Sequence, residues 1–171
     1  YQLAMLLVPY YFGGQEYDEV KKLVITTEKT AEGEEKFQVD FEALQEENSD
    51  TVAWIRFDEP AVISYQVVKG MDNDLYLTKT FSASDNKLGA IFMDYRNASS
   101  FSDRNTIIYG HNLKVGGEMF SQLNAYGDEA FYKEHPYFYI YTPDGKTRTY
   151  QVFVAGVVSD QAENYTLEFE S

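Results

Sequence analysis

Proton transfer near neutral pH falls most readily to imidazole, which titrates at about 6.5 when nothing perturbs it. The chain holds two histidines, His111 and His135. His111 stands in Tyr109-Gly110-His111-Asn112, directly after the dense apolar run Thr106 to Tyr109. A run of that kind reads as a buried strand, and a strand end on a rigid scaffold is a common place for a catalytic side chain. Gly110 is read as the residue that lets the chain turn there and leaves the imidazole open. Two readings of His111 stay open: a general acid or base, or a structural histidine satisfied by its neighbours. His135 precedes Pro136 at the end of an expected helix. There a histidine meets the helix dipole and the proline ends the helix, so a structural role fits.

Other chemistry has less support. Asp72, Asp74, Asp85, Asp94, Asp103, Asp128 and Asp144 mostly neighbour Gly or Asn in expected loops. They read as solvated turns, because no EF-hand spacing is present. A glycosidase needs a paired acid and base, and no pair stands out. Gly116-Gly117 lacks the strand and helix that flank a phosphate cradle. The absence of cysteine removes disulfides and thiolate metal sites. No metal and no cofactor is expected.

Acidic residues number 28 against 14 basic ones, a net charge of −14. That balance argues against a nucleic-acid partner, which needs a basic face, and against a polybasic membrane anchor. With 44% hydrophobic and 16% aromatic residues the chain can bury a core, and its composition leans toward strands. Its 171 residues suit one domain with a small N-terminal appendage. The first apolar run, Leu3 to Val8, is far shorter than the ~20 residues that cross a bilayer. Tyr1 to Phe12 reads equally as the outer end of an anchor or as the first turns of a surface helix.

The elements that would position His111 follow from pattern. Gln15 to Val24 reads as a helix with Tyr17, Val20 and Val24 on one face. Thr26 to Lys36 is polar and reads as an exposed linker. The division expected is therefore a helical segment and linker over 1–36 and a β-domain over 37–171. Asp40 is a candidate cap for a short helix that turns Phe41 and Leu44 inward, ended by Asn48-Ser49-Asp50. Thr51 to Phe57 and Ala61 to Val68 read as strands broken at Glu59-Pro60. Gly89 to Met93 and Thr106 to Tyr109 read as short strands buried on both faces. Glu118 to Tyr126 and Asp128 to Glu134 read as short helices. Tyr137 to Thr142 and Thr147 to Val158 read as a hairpin around Pro143-Asp144-Gly145-Lys146. The fold class is mainly β with short helices, a mostly antiparallel barrel or sandwich.

Several segments, in order, resemble class B sortases. They are Asn48-Ser49-Asp50 with Val52-Ala53-Trp54-Ile55, then Ile63 to Val68, where Gln66 stands in place of the family's usual proline. Next come Asp72-Asn73-Asp74-Leu75-Tyr76-Leu77 and Gly89-Ala90-Ile91-Phe92-Met93-Asp94-Tyr95-Arg96-Asn97. Last is Asn105 to Asn112, followed by Met119-Phe120 and Leu123. The resemblance spans about Asp40 to Val158. It implies a sortase-like mixed β-barrel with an N-terminal helix, and a cysteine transpeptidase at the Gram-positive cell surface, anchored by an N-terminal segment. Such enzymes cut a sorting signal near the C-terminus of a secreted protein and pass the acyl group to a cell-wall precursor amine.

The resemblance assigns His111 to acid–base catalysis, and Asn73, Leu77 and Asn112 to substrate binding. For Leu77 a plain structural role stands beside that assignment. The family's Thr-Leu-x-Thr-Cys motif and its following arginine do not occur here; Arg96, Arg104 and Arg148 lie in other contexts. The expectation is a barrel lacking its last strands, inactive alone, with an exposed edge through which copies could pair. The rival readings are a non-catalytic peptide- or glycan-binding β-domain and a pseudo-sortase scaffold.

Overall fold

The computed structural model describes residues 2–29, 35–58, 63–113, 119–159 and 165–167. Helix α1 runs over Gln2–Val24, starting well before the expected Gln15. Tyr17, Val20 and Val24 are buried, as residues three and four apart on one helical face should be. They join the same core cluster as the sheet that follows. No helix among the described residues is long and apolar enough to cross a membrane.

Where a linker was expected, β1 (Ile25–Lys29) and β2 (Glu35–Val39) form an antiparallel pair with Ile25 opposite Val39. Phe37 and Val39, just beyond that polar run, alternate with polar neighbours and pack on the core. Phe37 lies 4.9 Å from the Tyr141 ring and 4.3 Å from the Arg56 guanidinium. Helix α2 (Phe41–Glu47) is capped as expected: Asp40 accepts from the Ala43 amide at 3.0 Å. Leu44 on its inner face is fully buried.

Strands β3 (Thr51–Phe57) and β4 (Ile63–Val68) pair antiparallel, with Trp54 opposite Gln66. The expected Glu59-Pro60 break and the start of the second strand at Ala61 lie outside the described residues. Strand β5 (Ile91–Met93) then joins β4 in parallel, with Val67 beside Ile91. Parallel neighbours need a long crossover, and residues 69–90 supply it. Strand β6 (Ile108–Tyr109) pairs antiparallel with β5. Beyond β6 come a 3₁₀ segment (Phe120–Gly127) and helix α3 (Glu129–Glu134), capped by Asp128. Strands β7 (Tyr137–Tyr141) and β8 (Thr147–Gln151) complete the order β6-β5-β4-β3-β7-β8. The result is mainly β with few helices, a curled six-stranded half-barrel that is mostly antiparallel, as expected, with one parallel contact between β4 and β5.

The central strands are buried on both sides, so their sequences do not alternate. Trp54, Ile63, Val67, Ile91 and Met93 are all fully enclosed, each such side chain contributing about 1.5–3 kcal/mol through burial. Phe57 stacks on Phe138 at 4.7 Å, and Phe138 stacks in turn on Tyr150. Strand β6 is only half-buried, unlike the doubly buried run expected, because among the described residues it is an edge of the sheet. The final hairpin turns at Gly145, whose φ of 75° suits glycine. Its second strand stops at Gln151 and not at Val158. The partner strand runs out first: Tyr137 pairs with Gln151, and the last bond is from the Val152 amide to the Pro136 carbonyl. Phe153, Val154 and Val157 are left exposed.

Candidate active site around His111

Strand β6 delivers His111 two residues beyond its end. Gly110 is needed there for crowding more than for turning. A Cβ at Gly110 would collide with Ile91 Cδ1 and sit 2.8 Å from the Phe120 ring. The His111 carbonyl accepts from the Phe120 amide at 3.0 Å, and Asn112 bridges to Met119. The backbone on both sides of the imidazole is therefore tied down.

The ring itself is half-buried, with Nε2 2.7 Å from the Leu77 carbonyl oxygen. A carbonyl can only accept, so Nε2 carries the proton, and in the neutral ring Nδ1 keeps the lone pair. Nδ1 is thus the atom left to take up a proton. Gly89 lies against the ring. A Cβ there would stand 2.8 Å from His111 Cδ2 and 2.9 Å from the Leu77 carbonyl, and its φ is +65°. Both space and backbone demand glycine. The Leu77 carbonyl is steadied by its neighbour Tyr76, a buried residue in the turn Leu75–Leu77. The Tyr76 hydroxyl donates to Asp50 at 2.8 Å and accepts from Asn48 at 2.9 Å.

One carboxylate read as a solvated turn residue is nothing of the kind. Asp94 is 0% exposed. Its Oδ2 accepts from Arg96 Nη2 at 2.8 Å, from the Tyr109 hydroxyl at 2.9 Å and from Asn73 Nδ2 at 2.9 Å. Its Oδ1 accepts from the Arg96 amide and Arg96 Nε, each at 2.9 Å. The Arg96 guanidinium, ahead of every other contact, holds this carboxyl well below the usual carboxylate range. Burial, and then the Asp94 carboxylate, pushes the Tyr109 phenol up to about 12. Asp94 so joins the crossover loop, through Asn73, to the strand that carries His111, through Tyr109. The signal in the sequence was a charge set directly after a fully apolar strand, with an arginine two residues on.

The structure brings His111, Leu77 and Gly89 together, and it places Asn73 beside Asp94. The Asn73 side chain is already engaged, since its Oδ1 accepts from the Tyr95 amide at 3.0 Å. Leu77 projects its side chain outward at 40% exposure while its carbonyl faces His111. Asn112 pairs with Asn124 through both side-chain amides, at 3.0 and 3.3 Å. His135 caps α3, its ring 4.9 Å from Phe131. Among the described residues no three metal-ligating side chains converge.

Residues 62–169 match the sortase domain model. The chain is 37% identical over 127 residues to sortase B of Listeria monocytogenes, a match covering 74% of this chain and 50% of that protein. The crystal structure of sortase B from B. anthracis in complex with AAEK1 superposes with a TM-score of 0.73 at 31% identity. That alignment covers 90% of this chain and 73% of the other. The Staphylococcus aureus sortase B–substrate complex gives 0.70 at 31% identity, covering 77% and 59%. The chain spans about half the length of the curated relatives it matches.

Proposed function

The chain belongs to the sortase family, with class B members as its relatives, and from that premise we propose that it carries the acid–base part of a sorting transpeptidase. Its substrates would be the C-terminal sorting signal of a secreted protein and an amine of the cell-wall precursor. The site of action would be the outer face of a Gram-positive cell membrane. The observation that carries the reading is the seating of His111, with Nε2 committed to the Leu77 carbonyl and Nδ1 left for proton transfer.

The chemistry balances as two acyl transfers. A cysteine thiolate attacks the peptide carbonyl; the C–S bond forms as the C–N bond breaks. The protonated imidazole of His111 gives its proton to the leaving amine. The incoming amine then attacks the thioester and yields a proton to the imidazole, and the thiolate departs. An arginine steadies the oxyanion. These 171 residues contain no cysteine, so the chain by itself forms no acyl-enzyme. Asn73, Leu77 and Asn112 are the candidate contacts for the sorting peptide: Leu77 and Asn112 adjoin the histidine, and Asn73 lies beside Asp94. For Asn73 the second amide hydrogen and the second lone pair of Oδ1 remain to serve, because Asp94 and Tyr95 engage the others.

A second reading is a sortase-like scaffold that holds a peptide without cutting it. One experiment separates them. The full reading frame is expressed as wild type and as His111→Ala, and both are assayed for transfer of sorting-signal peptides to an amine acceptor. Loss of about 10²–10⁴-fold with unchanged melting is expected for a general acid–base residue. Full activity in the variant overturns the role of His111. A reading frame with no cysteine leaves the scaffold.

A further inference from the structure

Helix α1 touches the histidine site through one buried phenol. Tyr17 is 2% exposed, and its ring has no surface role. Its hydroxyl donates to the Gly89 carbonyl at 2.7 Å and accepts from the Phe81 amide at 3.2 Å. These partners lie 72 and 64 residues away in sequence. Gly89 is the residue on which the His111 ring rests. A second arm leaves the same side chain. The Tyr17 ring meets Tyr65 edge-on at 5.5 Å, and the Tyr65 hydroxyl accepts from the Met119 amide at 3.3 Å. Met119 and Phe120 pair with Asn112 and His111. One tyrosine therefore backs the imidazole from beneath and from its own backbone.

The rest of the helix face is shaped to the same loop. Gly13, one turn earlier, admits Leu88 and Asn86 so closely that a Cβ would stand 2.7 and 2.9 Å from their side chains. Glu16 accepts from the Ser82 amide at 3.0 Å. Lys21, one turn later, stands 4.3 Å over the Tyr65 ring. Gly13, Glu16, Tyr17 and Lys21 share one helical stripe. Burial, with Glu16 adding to it, keeps the Tyr17 phenol protonated well above its ordinary range, so it remains a donor to Gly89.

We infer that α1 is a positioning element for His111, with Tyr17 as its positioning residue and the loop 81–89 as the part it sets. The inference rests on the acid–base reading of His111 for its meaning in catalysis, but not for its test. Tyr17→Phe keeps the ring and removes only the hydroxyl. Gly13→Ala keeps Tyr17 and presses the helix away from Leu88. With two histidines in the chain, ring-labelled histidine gives one resonance pair for His111 and one for His135.

Both variants are expected to move the His111 ring signal by more than its linewidth and leave that of His135 in place. A merely structural tyrosine would lower the melting temperature and move neither. The inference is overturned when both variants melt lower while the His111 signal stays where it was. Failure of the acid–base reading looks different: His111→Ala would then stay active, whatever Tyr17→Phe does to the ring signal.

Discussion

Replacing Asp94 by asparagine keeps the shape of the side chain and removes the charge. The carboxylate serves five donor contacts, three on Oδ2 and two on Oδ1. An amide has one accepting oxygen. Turned one way, its NH₂ faces the Arg96 amide and Nε; turned the other, it faces Tyr109 and Asn73. Hydrogen bonds to a charged acceptor contribute about 1.5–3 kcal/mol each. Counting the bonds from Tyr109 and Asn73, and letting the phenol rotate to recover part of one, the substitution costs about 3 kcal/mol. Nothing is counted for the Arg96 guanidinium, whose side chain is 47% exposed and regains water. A domain of this size loses about 2–4 °C of Tm per kcal/mol, so Asp94→Asn should melt about 6–12 °C lower at neutral pH. The sign with pH is fixed. The folded carboxyl titrates below its unfolded value of about 3.9, so its contribution is whole above that value and fades as pH falls through the folded one. Asparagine does not titrate, so the gap between the two proteins should narrow below about pH 4. Thermal melts followed by circular dichroism at neutral and acid pH measure both. A gap under about 2 °C at neutral pH, or one that stays constant into acid, refutes the account of Asp94 as a charged hub.

Gln66 is 1% exposed, and neither of its side-chain amide atoms has a partner among the described residues; Gln66→Leu should raise stability by about 1–2 kcal/mol in urea titrations, and a destabilised variant would mean that the amide is satisfied. Gly89→Ala should cost at least about 1–2 kcal/mol for its positive φ alone and should displace the His111 ring, read as a lower Tm together with a moved histidine resonance. Asp40→Ala removes the cap bond to Ala43 and should cost about 1 kcal/mol; an unchanged urea midpoint would deny the cap any weight. Strands β6 and β8 end the sheet without a further neighbour among the described residues, so copies of the chain should associate through an edge, seen as concentration-dependent elution in size-exclusion chromatography; a single monomeric peak at high concentration contradicts this.

Much of the scaffold was readable because local chemistry and tertiary structure agreed. Thr51–Phe57 is dense in β-branched and aromatic residues and is bounded by Asn48-Ser49-Asp50, and it is a strand over that whole span. Asp40 capped its helix, and Pro143-Asp144-Gly145 turned its hairpin, because each acts on residues beside it in the chain. Other features depend on distant partners. Most of the pair β1–β2 looked like a linker because Thr26 to Lys36 is polar and charged, while the aromatic beside it, Phe37, is held by distant Tyr141 and Arg56. The parallel contact of β4 with β5 required knowing how residues 69–90 cross over. Asp94 looked like a turn residue because its burial is compensated by Asn73 and Tyr109, 21 and 15 positions away. His111 itself was visible from type and place, but the carbonyl that orients it, on Leu77, was not.

The span of the contacts around His111 has a thermodynamic meaning of its own. Trp54 meets Gln66 across a hairpin that closes a short loop. Tyr17 meets Gly89 only by closing one of 72 residues. Loop-closure entropy grows as the logarithm of length, so the second contact costs about 1.5 kcal/mol more than the first to bring together. The histidine's surroundings thus do not form from local contacts alone. Their order is lent by the whole core, and loosening the distant helix is expected to reach the imidazole through Tyr17 and Gly89.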